Sequence, residues 1–375
     1  MPGPLAGLKV IELGGIGPVP HAGMVFADLG ADVVQVVRPG TASDPASVLN
    51  RGKRSVGIDL KVEGAARLVA RMAGEANVLI EGFRPGVVER LGIGPETCLA
   101  ANRRLVYGRM TGFGQDGPLA GRAGHDIDYI ALSGALASIG PRTRPLPPLN
   151  LVADFGGGSM LLVVGVLAAL HSVGESGVGQ VVDAAMIDGS ALLMAMHHGA
   201  MAGGWWTAQR GTNLFDGTAP FYSTYETADG KWVAVGALEP HFFARLLEGL
   251  GIDADELSPQ MDREGWPGMR RRFADVFGSR TRTEWEAAFA GSDACVVGVY
   301  DMAEAPNHRH NVARGVFAEV DGVRQPAPAP RFSATPSSGP GKVPSPGEHT
   351  EQVLSQLGFD PGEIRRLRQD GIIPD

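Results

Sequence analysis

Cysteine is nearly absent from this chain: Cys98 and Cys295 are the only two in 375 residues. That excludes a disulfide framework and predicts a reducing, cytoplasmic setting. A basic excess is also missing. The formal net charge is -8, so no nucleic-acid partner is expected, and an anionic ligand would need a local basic patch. No apolar run is long enough to cross a bilayer. The longest, Met160 to Leu170, predicts a buried helix, and no membrane partner is expected. The first residues lack the basic-then-apolar pattern of a leader, and Ile-Ile-Pro-Asp at the other end is no peroxisomal or retention signal. No His, Cys and Asp spacing suggests a metal site, and no internal repeat is visible. What remains is a composition of 44% hydrophobic and 20% charged residues, normal for a globular enzyme with one large domain and a smaller one.

The order of elements predicts the fold class. Gly7 to Leu13 reads as a strand, followed by the loop Gly14-Gly15-Ile16-Gly17, a helix over His21 to Leu29 and a strand over Asp32 to Val37. Strand, glycine loop, helix, strand is a parallel right-handed unit. The pattern recurs as a helix over Ala65 to Ala76, a strand over Asn77 to Ile80, a short helix over Val87 to Leu91 and a strand over Leu105 to Met110. Such alternation predicts a doubly wound α/β domain. Its ligands belong at the carboxyl ends of the strands, where Arg38, Gly82-Phe83-Arg84 and Thr111-Gly112 fall. Further helices begin near His125 and near Gly157, then a strand covers Gly179 to Ala184 and a long helix runs from Asp188 to about Ala202. The aromatic and β-branched stretches 221–226 and 232–236, joined through Asp229-Gly230, predict a hairpin. Helices follow from Pro240, around Arg270 and over Thr283 to Phe289, so residues 205–325 read as a smaller α+β domain. Residues 325–349, rich in proline, serine and glycine, read as an extended crossover before a helical tail.

Two short segments carry acid–base groups. Gly124-His125-Asp126-Ile127-Asp128-Tyr129 sets an imidazole at a helix start. Asn150-Leu151-Val152-Ala153-Asp154-Phe155-Gly156-Gly157-Gly158-Ser159 sets a carboxylate ahead of three glycines, which let backbone approach a ligand closely. Inverting a carbon acid needs two proton carriers, one on each face. Group transfer through a carboxylate nucleophile needs Asp154 alone. Blander readings stand beside these. One histidine among nine is ordinarily structural, Asp154 suits a helix N-cap, and Asp126 and Asp128 suit the first turn of a helix.

The first glycine loop is a weak dinucleotide motif. Pro20 stands where the third glycine belongs, and Arg38 replaces the acidic residue that would hold a ribose. An arginine there suits a phosphate. Arg51, Lys53, Arg54, Lys61, Arg84 and Arg90 add a basic cluster within an acidic chain. It suits a multiply phosphorylated anion, with a solvated face as the alternative. Glu239-Pro240 marks another helix start, where Glu239 either complements the dipole or pairs with an imidazole. Met194, Met196 and Met201 beside His197 and His198 suit core packing or an adaptable acyl pocket.

Several longer motifs run in order through nearly the whole chain: Gly7-Leu8-Lys9-Val10-Ile11-Glu12-Leu13, Asn50-Arg51-Gly52-Lys53-Arg54-Ser55, Glu81-Gly82-Phe83-Arg84-Pro85-Gly86, Gly112-Phe113-Gly114-Gln115-Asp116-Gly117 and Pro346-Gly347-Glu348-His349-Thr350. With them the sequence resembles the family III CoA-transferase superfamily. Residues 124–129 and Gly236-Ala237-Leu238-Glu239-Pro240 resemble its branch of racemases acting on α-methylacyl-CoA thioesters. The transferases of the superfamily generally lack a histidine at the first of these segments.

The resemblance implies a Rossmann-like large domain over 1-204 and 326-375, a small domain over 205-325 and an interlocked homodimer. The site would lie between the large domain of one chain and the small domain of the other. It implies coenzyme A contacts at Arg38, Ile58, Asp59, Leu60, Lys61, Gly82, Phe83, Arg84, Arg90, Gly124, Asp126 and Tyr129. His125 and Asp154 would be the acid–base pair, with Glu239 orienting the histidine across the interface. No cofactor is implied, because coenzyme A belongs to the acyl-CoA substrate. In this chemistry an enolate would be held by amides near Gly156 to Ser159 or at the His125 helix start. Burial would raise the Asp154 pKa, and Glu239 would favour the charged imidazole. The alternatives are a CoA-transferase, in which Asp154 forms a mixed anhydride and then an aspartyl-CoA thioester, and a non-catalytic acyl-CoA binder.

Overall fold

The computed structural model describes residues 3–374. The chain runs through β1 (Lys9–Leu13), α1 (Pro18–Asp28), β2 (Asp32–Val37), β3 (Arg54–Gly57), α2 (Ala65–Glu75), β4 (Val78–Glu81), α3 (Val87–Arg90), α4 (Pro95–Ala101), β5 (Val106–Thr111) and α5 (Asp126–Leu132). After α6 (Ala135–Ser138) comes a π-helical stretch, Leu151–Ser159, continuous with α7 (Met160–Ser176). Then follow β6 (Val181–Ala185), α8 (Met186–Leu193) and α9 (Ala195–Ala202). The six strands are all parallel, in the order β3-β2-β1-β4-β5-β6. β4 and β5 are buried along their whole length because helices cover both sheet faces. The order reverses between β1 and β4, and a doubly wound sheet opens its ligand crevice there, at the carboxyl ends.

The chain divides into two compact units. One holds the residues up to Ser133, Leu149–Leu193 and those from Val312 onward, and the other holds Gly134–Pro148 and Met194–Asn311. In the second unit β7 (Tyr222–Glu226), β8 (Trp232–Gly236) and β9 (Val296–Gly298) form an antiparallel sheet. The hairpin turns at Gly230, whose φ of 70° favours glycine. α10 (Pro240–Leu250), α11 (Trp266–Phe277) and α12 (Arg282–Ala288) bury an aromatic core on this unit, with Phe277 and Trp285 ring centroids 5.1 Å apart. After α13 (Arg309–Arg314) come the hairpin β10 (Phe317–Val320) and β11 (Val323–Pro326), then α14 (Thr350–Gln356) and α15 (Pro361–Gln369). Residues 327–349 carry neither helix nor strand. Their far end closes the edge of the parallel sheet, where the His349 N–H donates to the Ser55 carbonyl at 2.8 Å.

Several elements differ from the sequence expectation. α1 begins three residues early, at Pro18, because proline fits the first turn and Gly17 supplies a φ of 73° just before it. β3 is short and lies hidden in the basic stretch. The helix expected from Asp188 to Ala202 is two helices that break at Met194. The helix expected near Gly157 starts at Leu151, so a continuous apolar helical stretch of 26 residues runs to Ser176. Length and composition alone would let it cross a membrane. In the fold, however, Leu162, Val163, Val166, Ala169 and Val173 are buried, and α7 packs on β5 and β6. Each such leucine or valine side chain contributes about 1.5–3 kcal/mol.

Candidate active site

The crevice opens into a cavity of about 530 Å³ walled by the glycine loop after β1, the Gly82–Pro85 turn after β4, the Thr111–Phe113 turn after β5 and the start of α5. His125 and Asp154 both line it. They arrive there by different local structures.

His125 is the N-cap of α5, in extended backbone (φ -130°) and solvent-exposed. Its N–H donates to Asp128 Oδ2 at 2.9 Å, and its carbonyl accepts the Asp128 N–H at 2.8 Å. Asp128 is thus the local helix-start carboxylate. The Tyr129 hydroxyl donates to the Gly124 carbonyl and pins the turn before His125. Its ring fills the space a Cβ on Gly112 would take, 2.2 Å away. Burial, helped by the nearby Asp154 charge, pushes this phenol up to about 12.

Asp154 lies inside the π-helical stretch, with Asn150 at the N-cap, so the N-cap reading of Asp154 does not hold. Within the stretch, a Cβ on Gly157 would stand 2.6 Å from Ser190 N of α8, and one on Gly189 would stand 1.8 Å from Gly157 O. At least at Gly157 the glycine admits a neighbouring helix, not a ligand. The stretch also consumes its own amides in i to i+5 bonds, the Met160 N–H reaching Phe155 O. Gly156 to Ser159 therefore offer no free donors. The Asp126 and Ile127 amides at the start of α5, by contrast, have no acceptor among the described residues.

The Asp154 carboxylate accepts from Asn150 Nδ2 at 3.0 Å and sits beside Gly17, whose Cβ would be 3.4 Å from Oδ2. Burial holds it above the ordinary carboxylate range. The Asn150 hydrogen bond works against that shift, the Asp126 charge adds to it and the His125 charge opposes it. Asn150 and Arg122, another residue of the cavity wall, were not singled out from sequence. The i, i+4 spacing of Asn150 and Asp154 is the signal that was available for the first.

A second cavity of about 460 Å³ is lined by Arg38, Ile58, Asp59, Leu60, Lys61, Phe83 and Arg90. Phe83 borders both cavities. Its turn is fixed by the buried Glu81, which accepts the Phe83 N–H at 2.7 Å and the Arg109 Nε–H at 2.9 Å. Gly82, Arg84, Gly124 and Tyr129 line the first cavity. Among the described residues Arg38, Lys61, Arg84 and Arg90 form no ion pair.

The rest of the basic cluster is structural. Arg51 pairs with Asp28 at 2.6 Å, Lys53 with Glu12 at 2.7 Å and Arg54 with Asp32 at 2.5 Å. Desolvation lowers the Lys53 pKa and raises that of Glu12. Gly23 leaves room for this pair, since a Cβ there would lie 1.8 Å from Glu12 Oε2.

Asp126 lines neither cavity. Its side chain is buried and turned toward the π-helical stretch. Glu239 is the exposed N-cap of α10 in the second unit. Among the described residues no group of three or more His, Cys, Asp and Glu side chains is arranged to hold a metal ion.

Similarity to known proteins follows this geometry. The chain is 47% identical over 372 residues to alpha-methylacyl-CoA racemase of Mus musculus, covering 98% of this chain and 97% of that one. It is 46% identical over 373 residues to the Homo sapiens protein of the same name, covering 98% and 97%. Its fold is similar to the crystal structure of a CAIB/BAIF family protein from Brucella suis, with a TM-score of 0.82, 26% identity and coverage of 95% and 100%. Residues 5–350 match CoA-transferase family III, and the chain belongs to that family.

Proposed function

We propose that this chain is an isomerase that inverts the α-carbon of 2-methylacyl-CoA thioesters by two-base 1,1-proton transfer. The observation that carries the reading is the meeting of His125 and Asp154 on one cavity at the sheet's switch point. The curated relatives named as racemases support it. Coenzyme A lies along the second cavity, with Arg38, Lys61 and Arg90 around its phosphates. Its thioester end passes Phe83 toward the acid–base pair.

Neutral His125 takes the α-proton from one face, and the C–H electron pair becomes the enolate. Asp154, protonated, delivers its proton to the opposite face. The reverse reaction exchanges the roles. Each positioned proton transfer supplies on the order of 10²–10⁴-fold. The enolate oxygen is held by the unpartnered amides of Asp126 and Ile127, and one such donor is worth on the order of 10²–10³-fold. Burial raises the proton affinity of Asp154 above that of an ordinary carboxylate, which suits it to hold and return a proton. Coenzyme A arrives as part of the substrate, and no other cofactor enters the scheme.

The active assembly in this reading is an interlocked homodimer of a large coenzyme A-binding domain and a smaller domain. Ile127, Leu132, Leu151, Met160, Val164, Leu192 and Leu193 expose an apolar surface on the unit that carries the acid–base pair, which suits a second copy as its cover. The partner's Glu239 then orients His125. The two unpaired cysteines, one of them exposed, suit a cytoplasmic enzyme of branched acyl-CoA (lipid) metabolism.

The experiment incubates a single enantiomer of a 2-methylacyl-CoA with the protein, with and without a free carboxylic acid, and adds hydroxylamine. Inversion is expected, with no CoA transfer to the acid and no hydroxamate at Asp154. Transfer with hydroxamate formation and no inversion would replace this reading with the nucleophilic one.

A further inference from the structure

The two proton carriers are joined by one buried carboxylate that touches neither substrate nor proton in the scheme above. Asp126 follows His125 directly in the chain and is 4% exposed. Its Oδ2 accepts the backbone N–H of Ala153 at 2.7 Å and that of Asp154 itself at 2.8 Å. Its Oδ1 is buried without a hydrogen-bond partner. These two amides belong to the opening of a π-helical stretch, where no preceding turn supplies an acceptor. A carboxylate from a different helix supplies it, so the entry to the stretch depends on α5. No other hydrogen bond among the described residues joins the segment 124–129 to the segment 150–155.

We propose that Asp126 is a positioning residue that sets the spacing across which His125 and Asp154 face each other. The inference rests on the racemase reading, since it concerns how that acid–base pair is held. Charge-assisted bonds to backbone N–H groups are short and about twice as strong as neutral ones, and an error of about 1 Å in a reacting group costs on the order of 10²-fold. Loss of this strut leaves His125 capping its own helix and frees Asp154 to drift. The enolate still forms on the His125 face, but its protonation from the opposite face slows. A proton on an imidazole nitrogen exchanges with solvent, so the one His125 captures can return as deuterium to the face it left.

The test compares wild type, Asp126→Ala and Asp126→Asn in deuterated water, starting from each enantiomer of a 2-methylacyl-CoA separately. Inversion and α-deuterium uptake into recovered starting material are followed together. In Asp126→Ala inversion should fall on the order of 10²-fold, equally from both enantiomers, because their equilibrium constant is near unity. Uptake without inversion should persist for one enantiomer only. Asp126→Asn keeps an acceptor oxygen for both amides and should recover most of the inversion.

Wild-type inversion in Asp126→Ala, or equal loss of uptake from both enantiomers in a variant whose Tm is unchanged, would overturn the proposal. If Asp126→Ala does not fold, the asparagine variant decides: inversion largely retained, with any deficit accompanied by uptake from one enantiomer only, supports the strut, and equal loss of inversion and uptake from both enantiomers at an unchanged Tm opposes it. Absence of both inversion and uptake in the wild type would reject the racemase reading itself, a different outcome.

Discussion

His125 and Asp154 reach one cavity from opposite kinds of local structure. The imidazole stands at the open end of an ordinary short helix, exposed, with its backbone tied to its own first turn. The carboxylate stands half-buried within a wide helical turn pressed against α8, its oxygen bonded by the N-cap Asn150 and its backbone N–H held by Asp126 from another helix. Within one chain the first group is exposed, and burial tunes the second. A proton can be shared between unlike groups only when their affinities are brought together, and here the environment shifts the carboxylate.

The largest effect that could break this comparison comes from removing either group. His125→Ala and Asp154→Ala should each lose inversion by at least on the order of 10²–10⁴-fold. They should leave opposite residues of activity, each variant exchanging α-hydrogen from the one enantiomer that faces its surviving base. Loss of exchange from the same enantiomer in both would place the two groups on one face.

Gly157→Ala should act on the carboxylate side alone. Its Cβ would meet Ser190 N at 2.6 Å, so α8 or the π-helical stretch must shift at about 1–3 kcal/mol. Lower Tm and slower inversion are expected, with exchange at the His125 face retained. An unchanged Tm would mean the contact with α8 is loose.

The smallest effect is a shift in pH dependence. The two-base scheme needs one proton between the two groups, so it predicts loss of activity at low pH, where both hold one, and at high pH, where neither does. The profile must be the same for both enantiomers. The Asn150 hydrogen bond lowers the Asp154 pKa, so Asn150→Leu should raise it further and move the acid limb of kcat/KM upward, leaving the basic limb in place.

The same burial gives a stability sign. A carboxyl raised above its unfolded value stabilises the fold below that unfolded value, and the contribution is lost as pH rises through the raised one. Asp154→Asn should accordingly be inactive and have a higher Tm than wild type at neutral pH. A Tm at or below wild type would argue against a buried, desolvated Asp154.

Much of the fold was legible because strand, glycine and helix alternate in sequence, and the strands after Gly7, Asp32, Asn77 and Leu105 fall where the pattern puts them. The His125 helix start was readable from glycine followed by acidic residues. The basic cluster was misleading. Arg51, Lys53 and Arg54 look like neighbours of Lys61 and Arg84, yet their partners Asp28, Glu12 and Asp32 come from earlier segments of the chain. Periodicity carries no information about such pairing.

The glycines after Asp154 were misleading in the same way. They signalled a close approach correctly, but for Gly157 the approaching object is the backbone of α8. A π-helical stretch has no composition signature of its own, because its wider turn is imposed by packing and by an acceptor on another helix.

The account stands most directly on where the incoming proton originates. One pure enantiomer of a 2-methylacyl-CoA is incubated with wild-type protein in deuterated water and sampled at early conversion, then the experiment is repeated from the other enantiomer. The account predicts an inverted product that carries solvent deuterium at the α-carbon from both starting points, while the remaining substrate is largely protiated. An inverted product that keeps the original hydrogen would mean that one group both removes and returns it, and would contradict the two-base account.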